Sequence, residues 1–308
     1  MILSLCGGVG GAKLALGLYR ALPPDTLKVA VNTGDDFTHL GLEIWPDFDT
    51  VLYTLAGLAD LDRGWGRSEE SWTTLNALVD LGAPDWFQLG DKDLAVHLVR
   101  ADALRRGESR LAIARDLARR AGVAADIFPA TDPVATMLET EDGVLPFQDY
   151  FVRRRCAPAV RAVSHSGAET ASPSRAFLDA LHAPALRGIV IAPSNPLLSL
   201  GPTLAVPEAR EALKAAPRPV IAVSPIVAGA ALKGPAAKIM NELGIEVSPL
   251  GVARLLGDVI DCLVIDAADA ELAGAVRATG IDCLVTETVM TDEADKVRLA
   301  KTVIDWLG

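Results

Sequence analysis

The chain has 308 residues, half of them hydrophobic, which suffices for one large core or for a domain carrying an insertion and excludes a disordered or fibrous protein. With 29 Lys plus Arg against 40 Asp plus Glu the net charge is −11, so the average surface repels phosphate backbones and anionic lipid, which argues against nucleic-acid binding. The apolar start, residues 1–6, lacks the basic beginning and the length of a secretory signal, and no later run approaches the roughly 20 apolar residues of a membrane span; a cytoplasmic protein with no membrane contact is expected. Cys6, Cys156, Cys262 and Cys283 form no CxxC pair and are expected as buried free thiols.

In chain order, an apolar run at 2–6 predicts a strand, a glycine-rich turn leads into a helix over 12–21, and a second strand is expected at 28–32. From about residue 50 to 122 the pattern is helical without strands: Leu94, Leu98 and Ala101 share one face, as do Leu111, Ala114, Leu117 and Ala118. Between 127 and 163 the segments become short and alternating, and 136–139 with 147–152, joined at Asp142-Gly143, predict a small β-hairpin. Further strands are expected at 189–192, 220–223, 262–265 and 283–286, and helices at 207–215, 235–243, 270–278 and 292–307. Pro207 and Pro235 are tolerable in a first turn, and Gly244 and Gly280 are placed as stops. Continuously apolar strands alternating with amphipathic helices predict an α/β protein with a mostly parallel sheet covered on both faces. The expected core is 1–50 with 123–308, and 51–122 is a helical insertion subdomain.

Ligands of such sheets bind beyond the carboxyl ends of the strands. The first strand runs into Gly7-Gly8-Val9-Gly10-Gly11-Ala12-Lys13 and then a helix. Four glycines in five residues suit a backbone approaching a phosphate at a helix N-terminus, although a tight strand-to-helix turn is the plainer reading and the spacing matches neither common phosphate-binding pattern. The second strand ends in Asn32-Thr33-Gly34-Asp35-Asp36, followed by Pro46-Asp47-Phe48-Asp49-Thr50. Converging these four carboxylates calls for a cation or a raised pKa, and Mg²⁺ is the usual solution beside substrate phosphates; Asp47 or Asp49 as a helix cap is the alternative. Ser194-Asn195 and Ser224 follow later strands and offer short donors and acceptors for a base or ribose, and Lys233 adds a cation before a further helix start.

Within the insertion, Asp91 can cap a helix whose face brings Asp93, His97 and Arg100 within reach of one another. A satisfied core role for His97 competes with a catalytic one. The arginines of 100–120 and Arg153-Arg154-Arg155 read as solvated faces or as a local anion site. Trp65 and Trp72, near Arg63 and Arg67, line a flat pocket or seal the insertion. There is no GxSxG elbow and no HExxH, so covalent catalysis is not suggested.

The segments GGVGGAKLALGL, NTGDD, PDFDTVLYTLAG, RGWGR, LGDKDLAVHLVR, PFQDYFVRRR, APSNPLLSLGP, AVSPIVAG and KGPAAK, in this order, resemble the 2-phospho-L-lactate transferase family of coenzyme F420 biosynthesis. The resemblance runs from Met1 to about Asp269. Where the family carries SDDPV, this chain has Thr131-Asp132-Pro133-Val134, one acidic residue fewer. The resemblance implies a Rossmann-like domain with a helical subdomain, a homodimer, and small-molecule substrates. It also implies a reaction: a guanosine-diphosphate-linked three-carbon acid (phospholactyl, enolpyruvyl or glyceryl) passes its phosphoryl-linked group to the ribityl hydroxyl of the deazaflavin Fo, and GMP leaves. On that reading Asp35, Asp36 and Asp49 serve Mg²⁺ and the acceptor hydroxyl, with Asp36 and Asp49 catalytic and Asp49 nearest Fo. Gly8, Gly10, Gly11 and Lys13 hold the diphosphate, and Ser194 and Asn195 hold the guanosine side. Asn32, Thr33, Ser224 and Lys233 line the site, while Asp91 and Lys92 close the Fo pocket. Asp49→Asn is then expected to lower turnover far more than stability. The rival is a UDP-sugar-binding regulator of the gluconeogenesis-factor type, which shares the glycine-loop start.

Overall fold

The structure is a computed structural model and describes residues 1–231 and 234–308. Seven strands, β1 (Ile2–Cys6), β2 (Leu27–Val31), β3 (Asp126–Pro129), β4 (Gly188–Ile191), β5 (Val220–Val223), β6 (Cys262–Asp266) and β7 (Asp282–Thr286), build the main sheet. Its order is β7-β6-β5-β4-β1-β2-β3, and every neighbouring pair is parallel. The strand order therefore reverses between β1 and β4, where an open α/β sheet leaves its ligand crevice.

Parallel pairing demands crossovers, and each carries helices. The α1 helix (Gly8–Ala21) joins β1 to β2, and the long connection to β3 carries α2 (Pro46–Leu55), α3 (Thr73–Asp80), α4 (Asp91–Arg105) and α5 (Arg110–Arg120). Then α6 (Arg175–Leu181) precedes β4, α7 (Gly201–Ala205) and α8 (Pro207–Lys214) precede β5, and α9 (Ala236–Glu242) and α10 (Pro249–Leu256) precede β6. A 3-10 turn and α11 (Ala273–Arg277) lead to β7, and α12 (Glu293–Trp306) follows it. The side chains of β1 show why both faces need cover: Ile2 and Cys6 join one apolar cluster with α1, α2, α5 and α12, whereas Leu3 and Leu5 join another with α6, α8 and α10. That is the period-two alternation of a strand.

The six expected strands are present, and β3 is the seventh. It is four residues long, begins with Asp126 and ends with Pro129, a composition tolerated because it lies at the sheet edge. The expected hairpin turns at Gly143, whose φ is +101°, but its second strand is Gly143–Pro146 rather than 147–152. Residues Asp149–Arg153 form a π-helical turn instead. Phe147 and Tyr150 are buried and Phe147 stacks on Phe151 at 5.3 Å, so the aromatic spacing there is helical, not alternating. A third strand, Val160–Ser166, makes this a three-stranded antiparallel sheet centred on Ala135–Thr140. The sheet reaches the main crevice through the Thr136 N–H, which donates to the Gly34 carbonyl at 2.9 Å. A short hairpin, Phe37–His39 with Leu42–Ile44, precedes α2 and was not expected. Among the described residues no helix is long and apolar enough to cross a membrane, and the four cysteines are free thiols, Cys156 half-buried and the others buried.

The α1 helix packs so closely on α12 that a Cβ at Gly17 would lie 2.1 Å from the Lys296 carbonyl oxygen. Gly17→Ala is therefore expected to destabilise the fold by about 1–3 kcal/mol through overpacking, despite alanine's better helix propensity. A urea unfolding curve with unchanged slope and lowered midpoint would report it.

Candidate active site

The loops after β1, β2 and β4 meet at the strand-order reversal. Gly7 and Ser194 are locked together: the Gly7 N–H donates to Ser194 Oγ at 3.1 Å, and the Ser194 hydroxyl donates to the Gly7 carbonyl at 2.8 Å. A Cβ at Gly10 would sit 2.6 Å from the Pro193 carbonyl oxygen, and one at Gly11 would sit 2.8 Å from Ser194 Oγ. Close packing of the first turn of α1 on the β4 loop thus accounts for these two glycines without a ligand. Gly8 differs, since its φ of +67° is left-handed and its N–H donates to Asp47 Oδ1 at 2.7 Å. Beyond Gly8, first-turn N–H groups have no acceptor within the helix and remain suited to an anion.

Four carboxylates gather at this helix start. Asp35, Asp47 and Asp49 are buried, and Asp36 lines a small cavity with Asn32, Thr33, Trp45 and Arg110. One amide organises two of them: Asn32 Nδ2 donates to Asp35 Oδ1 at 3.0 Å and to Asp47 Oδ2 at 2.9 Å, while Asn32 Oδ1 accepts from the Gly34 N–H at 2.9 Å. Burial, then the charges of Asp47 and Asp36, push the Asp35 carboxyl well up. Burial lifts Asp47 to about 6 against the hydrogen bonds from Asn32 and Gly8, and lifts Asp36 to about 7 against the pull of Arg110 and Arg100. One oxygen of Asp36, Oδ1, has no hydrogen-bond partner.

Two arginines from the connection between β2 and β3 face this group. Arg100 on α4 is fully buried and grips Asp49 with two donors, Nη1 at 3.1 Å from Oδ2 and Nη2 on Oδ1. Arg110, at the start of α5, pairs with Asp36. The helical face expected to join Asp93, His97 and Arg100 does so: His97 Nε2 lies 3.4 Å from Asp93 Oδ1, and His97 Nδ1 lies 3.1 Å from Arg100 Nη1. Tyr53 on α2 donates to Asp93 at 2.6 Å. Asp49, Asp93 and His97 each offer a ligand atom within 4.8 Å of the others, and His97 Nε2 makes no hydrogen bond.

Several predicted residues have partners elsewhere. Thr33 shares a hydrogen bond with Thr131 at 3.0 Å and donates to the Asp132 carbonyl. Lys13 donates to the Met290 carbonyl at 2.8 Å, and Ser224 closes a turn with Ile226. Lys233 lies outside the described residues. Asn195 Oδ1 caps Leu197 and Leu198, leaving its buried Nδ2 without a partner beside Ser194. Asp91 caps the preceding helix rather than its own, accepting from Ser71, Thr73 and Thr74 of the α3 start. Glu70 returns the favour by accepting from the Lys92 and Asp93 N–H groups at the α4 start, and Lys92 Nζ lies 3.6 Å from Glu69. Arg63 sits between the rings of Trp65 and Trp72, at 4.9 and 4.8 Å. In the sequence Asp47 counts among the four carboxylates, with a helix cap as its alternative, but has no place among the site residues; Arg110 reads only as part of an arginine-rich stretch, solvated or binding an anion, and 74 residues separate it from Asp36.

The donor chemistry fits a hard cation. Asp35, Asp36 and Asp47 bring only oxygen, as Mg²⁺ prefers, and the partners of Asp47 are neutral donors, whereas both Asp49 oxygens are held by the Arg100 cation. The raised values set the sign of the pH dependence. Each of these groups binds protons more tightly folded than unfolded, so ionising them as pH rises from about 4 to 7 costs stability that a bound cation restores. Millimolar Mg²⁺ is therefore expected to raise Tm more near pH 8 than near pH 5, with reversal by a chelator, in differential scanning fluorimetry. Asp49 carries a different expectation from the one its sequence context suggests: removing its charge strands a buried guanidinium, at about 3–5 kcal/mol. Asp49→Asn should thus lower the urea midpoint as well as turnover.

Comparison with known proteins identifies the family. The family profile described as 2-phospho-L-lactate transferase CofD matches residues 2–304. A phosphoenolpyruvate transferase of Kitasatospora aureofaciens is 39% identical over 311 residues, covering 98% of this chain and 96% of its own. A 2-phospho-L-lactate transferase of Methanosarcina mazei is 38% identical, covering 97% of each chain. Among solved structures, a UPF0052 family protein of Bacillus halodurans superposes with a TM-score of 0.61 over 98% of both chains at 14% identity, a likeness of fold alone. The regulator reading is not favoured by these matches, because the profile and both relatives are transferases. The chain belongs to the 2-phospho-L-lactate transferase family, and is a transferase of phosphorus-containing groups in coenzyme F420 biosynthesis.

Proposed function

We propose that the crevice between the β1, β2 and β4 loops is where the chain moves a phospholactyl, enolpyruvyl phosphate or phosphoglyceryl group from a guanosine-diphosphate-linked donor to the ribityl hydroxyl of Fo, releasing GMP. The observation that carries this reading is the gathering of Asp35, Asp36 and Asp47 at the open start of α1. Phosphoryl transfer is mostly positioning and charge neutralisation, and this arrangement supplies both. First-turn N–H groups of α1 beyond Gly8 take the donor diphosphate, and Asn195 Nδ2, unpartnered beside Ser194, faces the guanosine side. Asp35 and Asp47, which share Asn32, would hold Mg²⁺, which when bound would offset the charge of the phosphates.

The acceptor hydroxyl must lose its proton as its oxygen bonds to phosphorus. Asp36 is suited to receive it, being lifted to about 7 and keeping a free oxygen, since a base works best with a pKa near the working pH. Asp49, held by Arg100, keeps the start of α2 in register beside the acceptor. Asp47→Asn preserves shape and the Gly8 hydrogen bond but turns the partner of Asn32 from acceptor to donor; kcat should fall at least about 100-fold, consistent with loss of an electrostatic element, while the far-ultraviolet circular dichroism stays unchanged.

The direct test incubates the purified protein with Fo, Mg²⁺ and each of the three guanosine-linked donors, followed by mass spectrometry for GMP and a deazaflavin phosphodiester. Product with one donor is expected and names the substrate. No product with any donor, together with tight binding of a UDP-sugar, would overturn the proposal.

A further inference from the structure

Trp45 is 1% exposed and lies immediately before α2, between the hairpin that follows Asp36 and the turn that carries Asp49. Two guanidinium groups pack against its ring, with the Arg100 carbon 4.3 Å and the Arg110 carbon 4.1 Å from the centroid. Each of these arginines pairs with one carboxylate, Arg100 with Asp49 and Arg110 with Asp36. One indole therefore orients two forks, and the forks orient two acids of the crevice. Arg100 also donates to the Glu43 carbonyl at 3.2 Å, which ties the same group to the hairpin.

From this we infer that Arg100 and Arg110 are positioning residues for the transferase reaction, each acting through its carboxylate, with Trp45 as the common plate that sets their planes. Arg100 is fully buried and out of reach of substrate; Arg110 reaches the small cavity beside Asp36, but its Nη2 is committed to that carboxylate, and the Nε atoms of both arginines are sealed from solvent and without a hydrogen-bond partner. Leaving two guanidinium donors unmet is a cost, and the structure accepts it while fixing where the remaining donors point. Here all the bonds made to side-chain carboxylates run toward Asp49 and Asp36. A lysine would supply the charge but not the planar fork, nor the stacking on the indole. The inference rests on the crevice being the catalytic site.

The test compares Arg110→Lys, Arg110→Gln, Arg100→Lys and Arg100→Gln with Asp36→Asn and Asp49→Asn. Each protein is assayed for Tm, kcat and the KM of donor and acceptor separately. The expected signature is a split. The lysine variants recover most of the Tm lost by the glutamine variants, yet keep a kcat at least about tenfold below the parent, with donor KM within about twofold, as expected when orientation is lost and binding kept. A lysine variant with parental kcat, or a folded glutamine variant with parental kcat, overturns the inference. If a glutamine variant does not fold, its lysine counterpart still decides the matter. Should Asp36→Asn and Asp49→Asn both keep parental activity, the catalytic reading of the crevice fails and takes this inference with it; if they lose activity while the lysine variants do not, only the inference fails.

Discussion

Withdrawing Asp35, Asp36, Asp47 and Asp49 from water at the carboxyl end of a parallel sheet is the constraint to which the surrounding structure answers. Two carboxylates about 4 Å apart repel by roughly 4 kcal/mol at an effective dielectric near 20, and desolvation adds to that. The compensations are specific. The Asn32 amide lies between Asp35 and Asp47, the Gly8 N–H serves Asp47, and an arginine serves each of Asp36 and Asp49. These partners compensate only in part: the Asp35 and Asp36 carboxyls stay raised and one Asp36 oxygen has no partner, so the crevice holds protons that a bound cation would displace.

This constraint also explains the length of one crossover. The connection from β2 to β3 needs one crossover helix to satisfy the sheet, yet it carries four. Two of them, α4 and α5, deliver Arg100 and Arg110, cations that the core strands could not carry without unpairing a charge among apolar neighbours. These helices thus belong electrostatically to the crevice, through Trp45 and the first turn of α2.

Fold class and most strands could be read from the sequence because buried parallel strands leave continuous apolar runs, as at β1, β5 and β6. The edge strand β3 could not: its Asp and Pro cancel the apolar signal that only central strands must show. The π-helical turn at Asp149–Arg153 was misjudged because three aromatics in five residues satisfy a helical period and a loose alternation alike. At the site, the acidic residues announced themselves by clustering behind a strand end, but their partners did not. Arg100 and Arg110 sit in a run of seven arginines, most of them in exposed ion pairs such as Arg106 with Asp102 and Arg120 with Asp116. Nothing local distinguishes the buried ones. The glycine loop shows the converse: a pattern read as an invitation to phosphate is in part a packing requirement of Pro193 and Ser194.

The exchange of caps between Glu70 and Asp91 reaches beyond the termini it satisfies. The α3 helix has no buried residue, and Leu81 just after it is 86% exposed, so hydrophobic burial contributes little to keeping it folded. Its cohesion depends on two carboxylates, each closing the helix to which the other belongs. Such a clasp makes α3 a unit of low local stability, able to open without disturbing the sheet. Amide exchange and proteolytic nicking should therefore begin in this helix, while the strands below remain protected.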